Sequence, residues 1–234
     1  MARIRETVGR ADGDSGYARV FGDQVLGSLI SRVHATAIRN GNELESILRS
    51  GCPIRATGLE ERLSQPVLGL SRRVEAYFQE SLPAEDGARP TQVDVVVLDN
   101  TERTALVVEI KDGDSFDTKK ADGELGSLLR VARLLEERLR YQSNYAFCCF
   151  NQSDKDVILR GIKMRFDRAH LMTGPELCEL LRLDYEAIRL RRHFDAEDNL
   201  DYFLQELSAI PKVRARLERN LRDSWTGRLF GDHT

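Results

Sequence analysis

Asp94, Glu109 and Lys111 are the residues whose types and spacing point to chemistry. Asp94 sits at the start of a β-prone run, 93–98, and Glu109 and Lys111 close a second one, 104–111. Between the runs, Asp99-Asn100-Thr101-Glu102-Arg103 has turn composition, so the stretch is predicted to be a β-hairpin. Side chains alternate faces along a strand, which places Glu109 and Lys111 together and turns Ile110 the other way. In an antiparallel hairpin the start of the first strand lies beside the end of the second. Asp94 is thereby brought next to Glu109 and Lys111, although fourteen residues separate the two acids in the chain. Charged groups at the end of apolar strands cost free energy unless they are paired or metal-bound. Carboxylate oxygens suit Mg²⁺, which takes one or two protein carboxylates and keeps its other positions for water and phosphate oxygens. A lysine two residues past the second acid could hold a water or stabilise charge on a phosphate.

The flanking segments must position this hairpin. From Asp23 to Arg49 the apolar residues Val25, Leu29, Val33, Ile38, Leu44, Ile47 and Leu48 have helical spacing. Gly41-Asn42 interrupts the pattern and predicts two helices or one kinked there, with Asn42 a candidate cap. Gly51-Cys52-Pro53 ends the segment. Residues 58–82 are also predicted to be helical, with Leu59, Leu63, Leu70, Val74 and Phe78 as the packing stripe. A Pro- and Gly-rich loop with solvated acids Glu85 and Asp86 then leads to Asp94. After Lys111 a polar loop carries Lys119 and Lys120, which either contact phosphates or are simply solvated. The pattern over 123–141 predicts a crossover helix, and the apolar run 145–150 a buried strand. Residues 154–172 supply a helix or strand and then a further strand. Thr173-Gly174-Pro175-Glu176 is a capping box that opens another helix. The remainder, 184–230, reads as helical and polar, with arginines at 189, 191 and 192 and again at 214, 216, 219 and 222. These line a DNA groove or form a solvated face, since acids are interspersed.

Asp94 followed by Glu109-Ile110-Lys111 resembles the PD-(D/E)XK nuclease superfamily, in which such a set on a hairpin cleaves phosphodiesters with Mg²⁺. The residue before Asp94 is Val93, where the motif's name has proline. The stretch Gly41-Asn42-Glu43-Leu44-Glu45 resembles a further feature of that group, a glycine followed four residues later by an acid facing the site; Glu45 matches, with Glu43 the alternative. The resemblance implies an α/β (mixed α+β) fold: a restriction-endonuclease-like αβββαβ core with a central mixed sheet flanked by helices, plus a helical C-terminal extension. It implies a single nuclease domain over 1–234, with an irregular arm at 1–22, a catalytic core at 23–183 and the extension at 184–234. Within the superfamily the chain looks most like a type II restriction endonuclease, with no G-x-x-x-x-G-K-[ST] loop to suggest an attached ATPase. That resemblance implies catalysis by Asp94, Glu109 and Lys111 with help from Glu45, and Mg²⁺ at Asp94, Glu109 and Ile110. It implies DNA contacts drawn from Lys119, Lys120, Arg189, Arg192 and Arg216. Double-stranded DNA is the implied substrate, a homodimer the implied assembly, and a methyltransferase the companion activity without a stable complex. The competing readings are a repair, recombination or phage-defence nuclease that recognises DNA structure, and a catalytically silent DNA-binding module.

Bulk properties set limits on these readings. The chain has 234 residues and 41% hydrophobic content, enough for a substantial core. A net charge of −3 argues against a non-specific DNA coater, while leaving room for a local basic cleft. Cys52, Cys148, Cys149 and Cys178 form no C-x-x-C pair, which predicts buried thiols in a reducing, cytoplasmic compartment. The first residues lack the apolar stretch of a signal peptide, and no apolar run is long enough to cross a membrane.

Overall fold

A computed structural model of the chain describes residues 1–9, 16–64, 73–82, 90–113, 118–163 and 166–229, with side chains left undescribed at 118–122 and 224–229. Leu70 and the loop acids Glu85 and Asp86 lie outside the described residues. The chain divides into two compact units, one of Leu44–Ile188 and one of Met1–Glu43 with Arg189–Thr234.

The first unit is built on a five-stranded sheet in the order β1-β2-β3-β4-β5. β1 (Val74–Leu82), β2 (Thr91–Asp99) and β3 (Thr104–Lys111) form an antiparallel meander. The β2–β3 turn is the one the sequence predicts: Asp99 accepts hydrogen bonds from the backbone N–H groups of Thr101 and Glu102. The chain then crosses over through helix α4 (Thr118–Leu139) to β4 (Gln142–Cys149), which runs parallel to β3. Helix α5 (Lys155–Gly161) leads to β5 (Leu171–Thr173), parallel to β4. The predicted αβββαβ order is present, and the sheet is mixed.

Both sheet faces are covered, which is why its strands are apolar on both sides. On one face Val96, Leu98, Ala105, Val107 and Phe147 pack with Leu128, Val131 and Leu135 of α4. On the other, Val95, Val97, Val108, Ile110 and Cys148 pack against Leu44 and Leu48 of α2 (Gln24–Gly51) and Leu177 and Leu181 of α6 (Gly174–Leu181). All four cysteines are buried thiols outside any disulfide, as the sequence predicts. The capping box at α6 forms, with the Thr173 and Glu176 side chains exchanging bonds with each other's backbone N–H groups. A Cβ on Gly174 would lie 1.9 Å from the Phe150 carbonyl oxygen, so only glycine fits there.

Two local expectations are corrected. Residues 58–82 are not one helical segment: among the described residues only α3 (Leu59–Ser64) is helical, and 74–82 is strand β1. Val74 and Phe78 have a spacing that suits a helix, but Ala76, Tyr77 and Phe78 are buried in succession, alternating between the two faces of the sheet. That is strand behaviour. Helix α2 also runs unbroken through Gly41-Asn42, so Asn42 is an interior residue and not a cap.

The second unit is helical. It contains α1 (Gly16–Phe21), most of α2, and most of α7 (Tyr185–Ala209) and α8 (Pro211–Leu229). The described part of the predicted irregular arm is tied down. Arg3 pairs with the buried Asp195 at 2.9 Å, and the Ile4 N–H donates to Asn199 at 2.7 Å. The inner stripe of α7 in this unit is therefore polar, with Arg192, Asp195 and Asn199 on it, while Leu190, Phe194 and Leu204 are turned to the surface.

Candidate active site

The hairpin register builds the site. Val95 pairs with Val108, so one step further along each strand Asp94 lies across from Glu109. Glu109 and Lys111 belong to the α4 side of the sheet by strand alternation, since Val108 and Ile110 pack on the other face. The Ile110 N–H donates to Asp94 Oδ2 at 2.6 Å, locking the first carboxylate to the second strand. Lys111 Nζ sits 2.6 Å from Glu109 Oε1 and 3.0 Å from Glu124 Oε1, the latter supplied by α4. Two acids thus bond one ammonium, with Asp94 across the ladder from the first of them, giving local negative charge at the end of the apolar strands.

The electrostatics follow from that crowding. Burial, reinforced by the charges of Glu109 and Glu45, pushes the Asp94 carboxyl up to about 7, against the opposing Ile110 hydrogen bond and Lys111 charge. Burial also raises Glu109, with Lys111 pulling the other way. For Lys111, burial would favour the neutral amine, but the bonds to Glu109 and Glu124 outweigh it and raise the ammonium's pKa. The group is held as a cation.

This arrangement fits a hard divalent ion. Asp94 and Glu109 cannot both ionise comfortably side by side without a nearby positive charge. Among the described residues no three of His, Cys, Asp and Glu form a ready-made cage. Mg²⁺ relies on few protein carboxylates and completes its shell with water and substrate oxygens, and Asp94 and Glu109 are donors of that kind. The Ile110 side chain is buried on the α2/α6 side, so only its main-chain carbonyl is available to an ion.

With this geometry in place, the comparison with known proteins is decisive. The chain is 35% identical over 227 residues to the type II restriction enzyme HhaII of Haemophilus parahaemolyticus, spanning 94% of this chain and 100% of that protein. The chain belongs to the type II restriction endonucleases. No protein-family model matches it.

The other sequence-derived candidates of this endonuclease are placed as follows. Glu45 on α2 accepts a 2.5 Å hydrogen bond from Gln79 Nε2 of β1, and its charge is felt at Asp94. Glu43 instead pairs with the terminal ammonium at 3.3 Å. Lys119 and Lys120 fall in the first turn of α4, and their side chains lie outside the described residues. In the helical unit Arg189 and Arg216 are exposed. Arg192 is corrected: at 4% exposure it stands on the polar inner stripe of α7 and not among the surface cations. No helix among the described residues is long and apolar enough to cross a membrane.

Sequence reasoning missed two residues. Glu124 was one acid among several on the polar face of α4, and only the packing of that helix brings it to Lys111. Its Oε2 is buried with no hydrogen-bond partner among the described residues, so the carboxylate retains capacity to accept a proton donor. Gln79 lay inside the segment mistaken for helix, where nothing marked it as a neighbour of Asp94.

Proposed function

We propose that this type II restriction endonuclease hydrolyses phosphodiester bonds at a short double-stranded DNA sequence through Asp94, Glu109 and Lys111. The observation carrying this assignment is the pairing of two half-buried carboxylates across the β2–β3 ladder, with Lys111 bonded to the second. Type II restriction enzymes generally use Mg²⁺, and Asp94, Glu109 and the Ile110 carbonyl would hold it here. When bound, the ion supplies positive charge to a phosphate oxygen and acidifies water. Lys111, kept as an ammonium by two acids, orients the attacking water and stabilises charge developing on phosphorus oxygens. An ammonium cannot itself accept the water's proton, so its part is positional and electrostatic. Glu45 adds negative charge from α2 and assists the cation-holding pair. In-line displacement by water leaves a 5′-phosphate and a 3′-hydroxyl.

The enzyme acts as a homodimer in this reading, each protomer cutting one strand of a two-fold symmetric site. Supporting this, Leu190, Phe194 and Leu204 on α7 and Leu217 and Leu221 on α8 are 47–63% exposed. Apolar helix faces of this kind commonly mark association surfaces. Arg189 and Arg216 are the exposed candidates for phosphate contacts in the helical unit, and Lys119 and Lys120 those in the first turn of α4. A methyltransferase of matching specificity would protect the enzyme's own genome without forming a stable complex with it.

The test is digestion of phage DNA by purified protein, with Mg²⁺ and with a chelator. Discrete fragments in Mg²⁺ alone, with one common sequence at their ends, are expected. A Mg²⁺-dependent smear would contradict sequence-specific cutting.

A further inference from the structure

Strand β1 turns over at Gln79. In a regular strand, side chains two apart share a face. Ala76 and Phe78 pack on the α2/α6 side of the sheet, yet Leu82, of the same parity, packs on the α4 side. β2 does the same opposite it: Val95 and Val97 face α2 and α6, whereas Val93 faces the α4 side. Both inversions occur at one rung. Phe78 pairs with Val95 and Glu80 with Val93, leaving Gln79 across from Asp94. Gln79 has φ +54°, in the left-handed region that side chains other than glycine and asparagine rarely enter. Unfavourable backbone of this kind persists where surrounding contacts over-determine it, and such places cluster at functional sites.

The contacts at Gln79 are specific. Its Nε2 donates to Glu45 Oε2 at 2.5 Å and its Oε1 accepts from Arg49 Nη1 at 2.9 Å. Glu45 and Arg49 are four residues apart on α2, the spacing at which a helical glutamate and arginine ordinarily attract each other directly. The carboxamide stands between them and gives each a neutral partner. Among the described residues Glu45 makes no ion pair, and its charge reaches Asp94.

We propose that Gln79 is a positioning residue for cation binding: its carboxamide keeps Glu45 from closing onto Arg49 and holds that carboxylate toward Asp94. This rests on the reading of Asp94 and Glu109 as the divalent-cation site. Removing the carboxamide lets Glu45 and Arg49 pair with each other, and the site loses a charge. Glutamate at 79 would accept from Arg49 but repel Glu45, so the role requires a group that donates at one end and accepts at the other.

The experiment is Mn²⁺ binding to the DNA-free full-length protein, read by the electron paramagnetic resonance of unbound Mn²⁺, alongside thermal unfolding. Gln79→Gly should weaken Mn²⁺ binding about tenfold, the scale on which partners of metal ligands act. Its unfolding midpoint should stay level or rise, because glycine adopts φ +54° without strain. Gln79→Asn, which tolerates the same backbone but is one methylene short, should lose affinity likewise. Glu45→Gln combined with Gln79→Gly should bind no more weakly than the weaker single variant. Arg49→Met should restore most of the affinity lost in Gln79→Gly, since Glu45 then has no cation to close upon. Native-like Mn²⁺ binding in both Gln79 variants would overturn the proposal, as would a fully additive loss in the Glu45 double variant. Glu109→Ala separates the two layers. If it loses Mn²⁺ while the Gln79 variants do not, only the positioning role fails. If it binds Mn²⁺ normally, the cation-site reading itself fails.

Discussion

At the scale of single residues, Asp94 makes the sharpest claim. Its carboxyl is raised from an ordinary value of 3.8 to about 7 in the folded protein. The unfolded chain therefore releases this proton at lower pH than the folded one. Stability of the metal-free protein is lost progressively between about pH 4 and pH 7 on this account, and then levels off. Asp94→Asn should remove that decline. The variant should match the native protein near pH 4 and exceed its stability above pH 7 by an amount on the order of a few kcal/mol. Denaturant unfolding at several pH values checks this; equal stabilities at pH 8 would refute the burial argument. Mg²⁺ should stabilise the native protein at pH 8 and leave Asp94→Asn much less affected. Glu124 gives a second prediction. Glu124→Gln removes one of two acids bonded to Lys111, so the ammonium's pKa should fall while the fold is kept. The alkaline limb of the cleavage pH profile should then move to lower pH, and an unmoved limb would deny Glu124 that role. The Asp94, Glu109 and Lys111 set was legible in the sequence because strand alternation and a two-strand register place it without any tertiary knowledge. Glu124 was not, because its position depends on how α4 lies over the sheet.

At the scale of elements, a hairpin announces itself and an edge strand does not. The β2–β3 pair has apolar runs on both sides of a turn whose Asp99 carboxylate organises the backbone, and β3 could be read to both its ends, while β2 runs from Thr91 to Asp99 around the apolar 93–98. β1 carries Glu75, Gln79 and Glu80 among its apolar residues and is bounded by segments of ambiguous pattern, so helical spacing prevailed. With β1 misread, the left-handed Gln79 and its bonds to α2 could not be foreseen. The α6 start shows the opposite case, where a capping box gave the element and its cap, Thr173. It also yields a prediction. Gly174→Ala forces a Cβ against the Phe150 carbonyl oxygen and the Tyr185 ring, at 1.9 and 2.7 Å in the present backbone. The variant should be destabilised by about 3 kcal/mol, with Leu177→Ala in the same helix costing a similar ~2–5 kcal/mol. Thermal or urea unfolding measures both, and a native-like Gly174→Ala would mean that the β5–α6 junction is not where the sheet is closed.

At the scale of the whole molecule, composition was informative chiefly by exclusion. A slightly acidic chain turned out to belong to a group of DNA-cutting enzymes, so its contacts with DNA must be concentrated locally and not spread over the surface. The helical unit was the least legible part. α7 keeps arginine, aspartate and asparagine on its inner stripe and turns leucine and phenylalanine outward, the reverse of the pattern from which cores are normally inferred. The outward apolar residues belong to the dimer in this account. Sedimentation should give twice the 26.6 kDa chain mass, and Phe194→Glu with Leu204→Glu should give monomers that no longer make double-strand cuts. A monomer that cuts both strands at once would remove that assignment.

The most direct test of the central claim compares native protein with Glu109→Ala on one phage DNA in Mg²⁺, by digestion and by gel shift in Ca²⁺. The account predicts discrete fragments from the native enzyme and a loss of cleavage of about a thousandfold or more in the variant. It also predicts a retained gel shift and an unchanged unfolding transition for the variant. Cleavage by Glu109→Ala at a native rate would contradict the assignment of this hairpin as the active site.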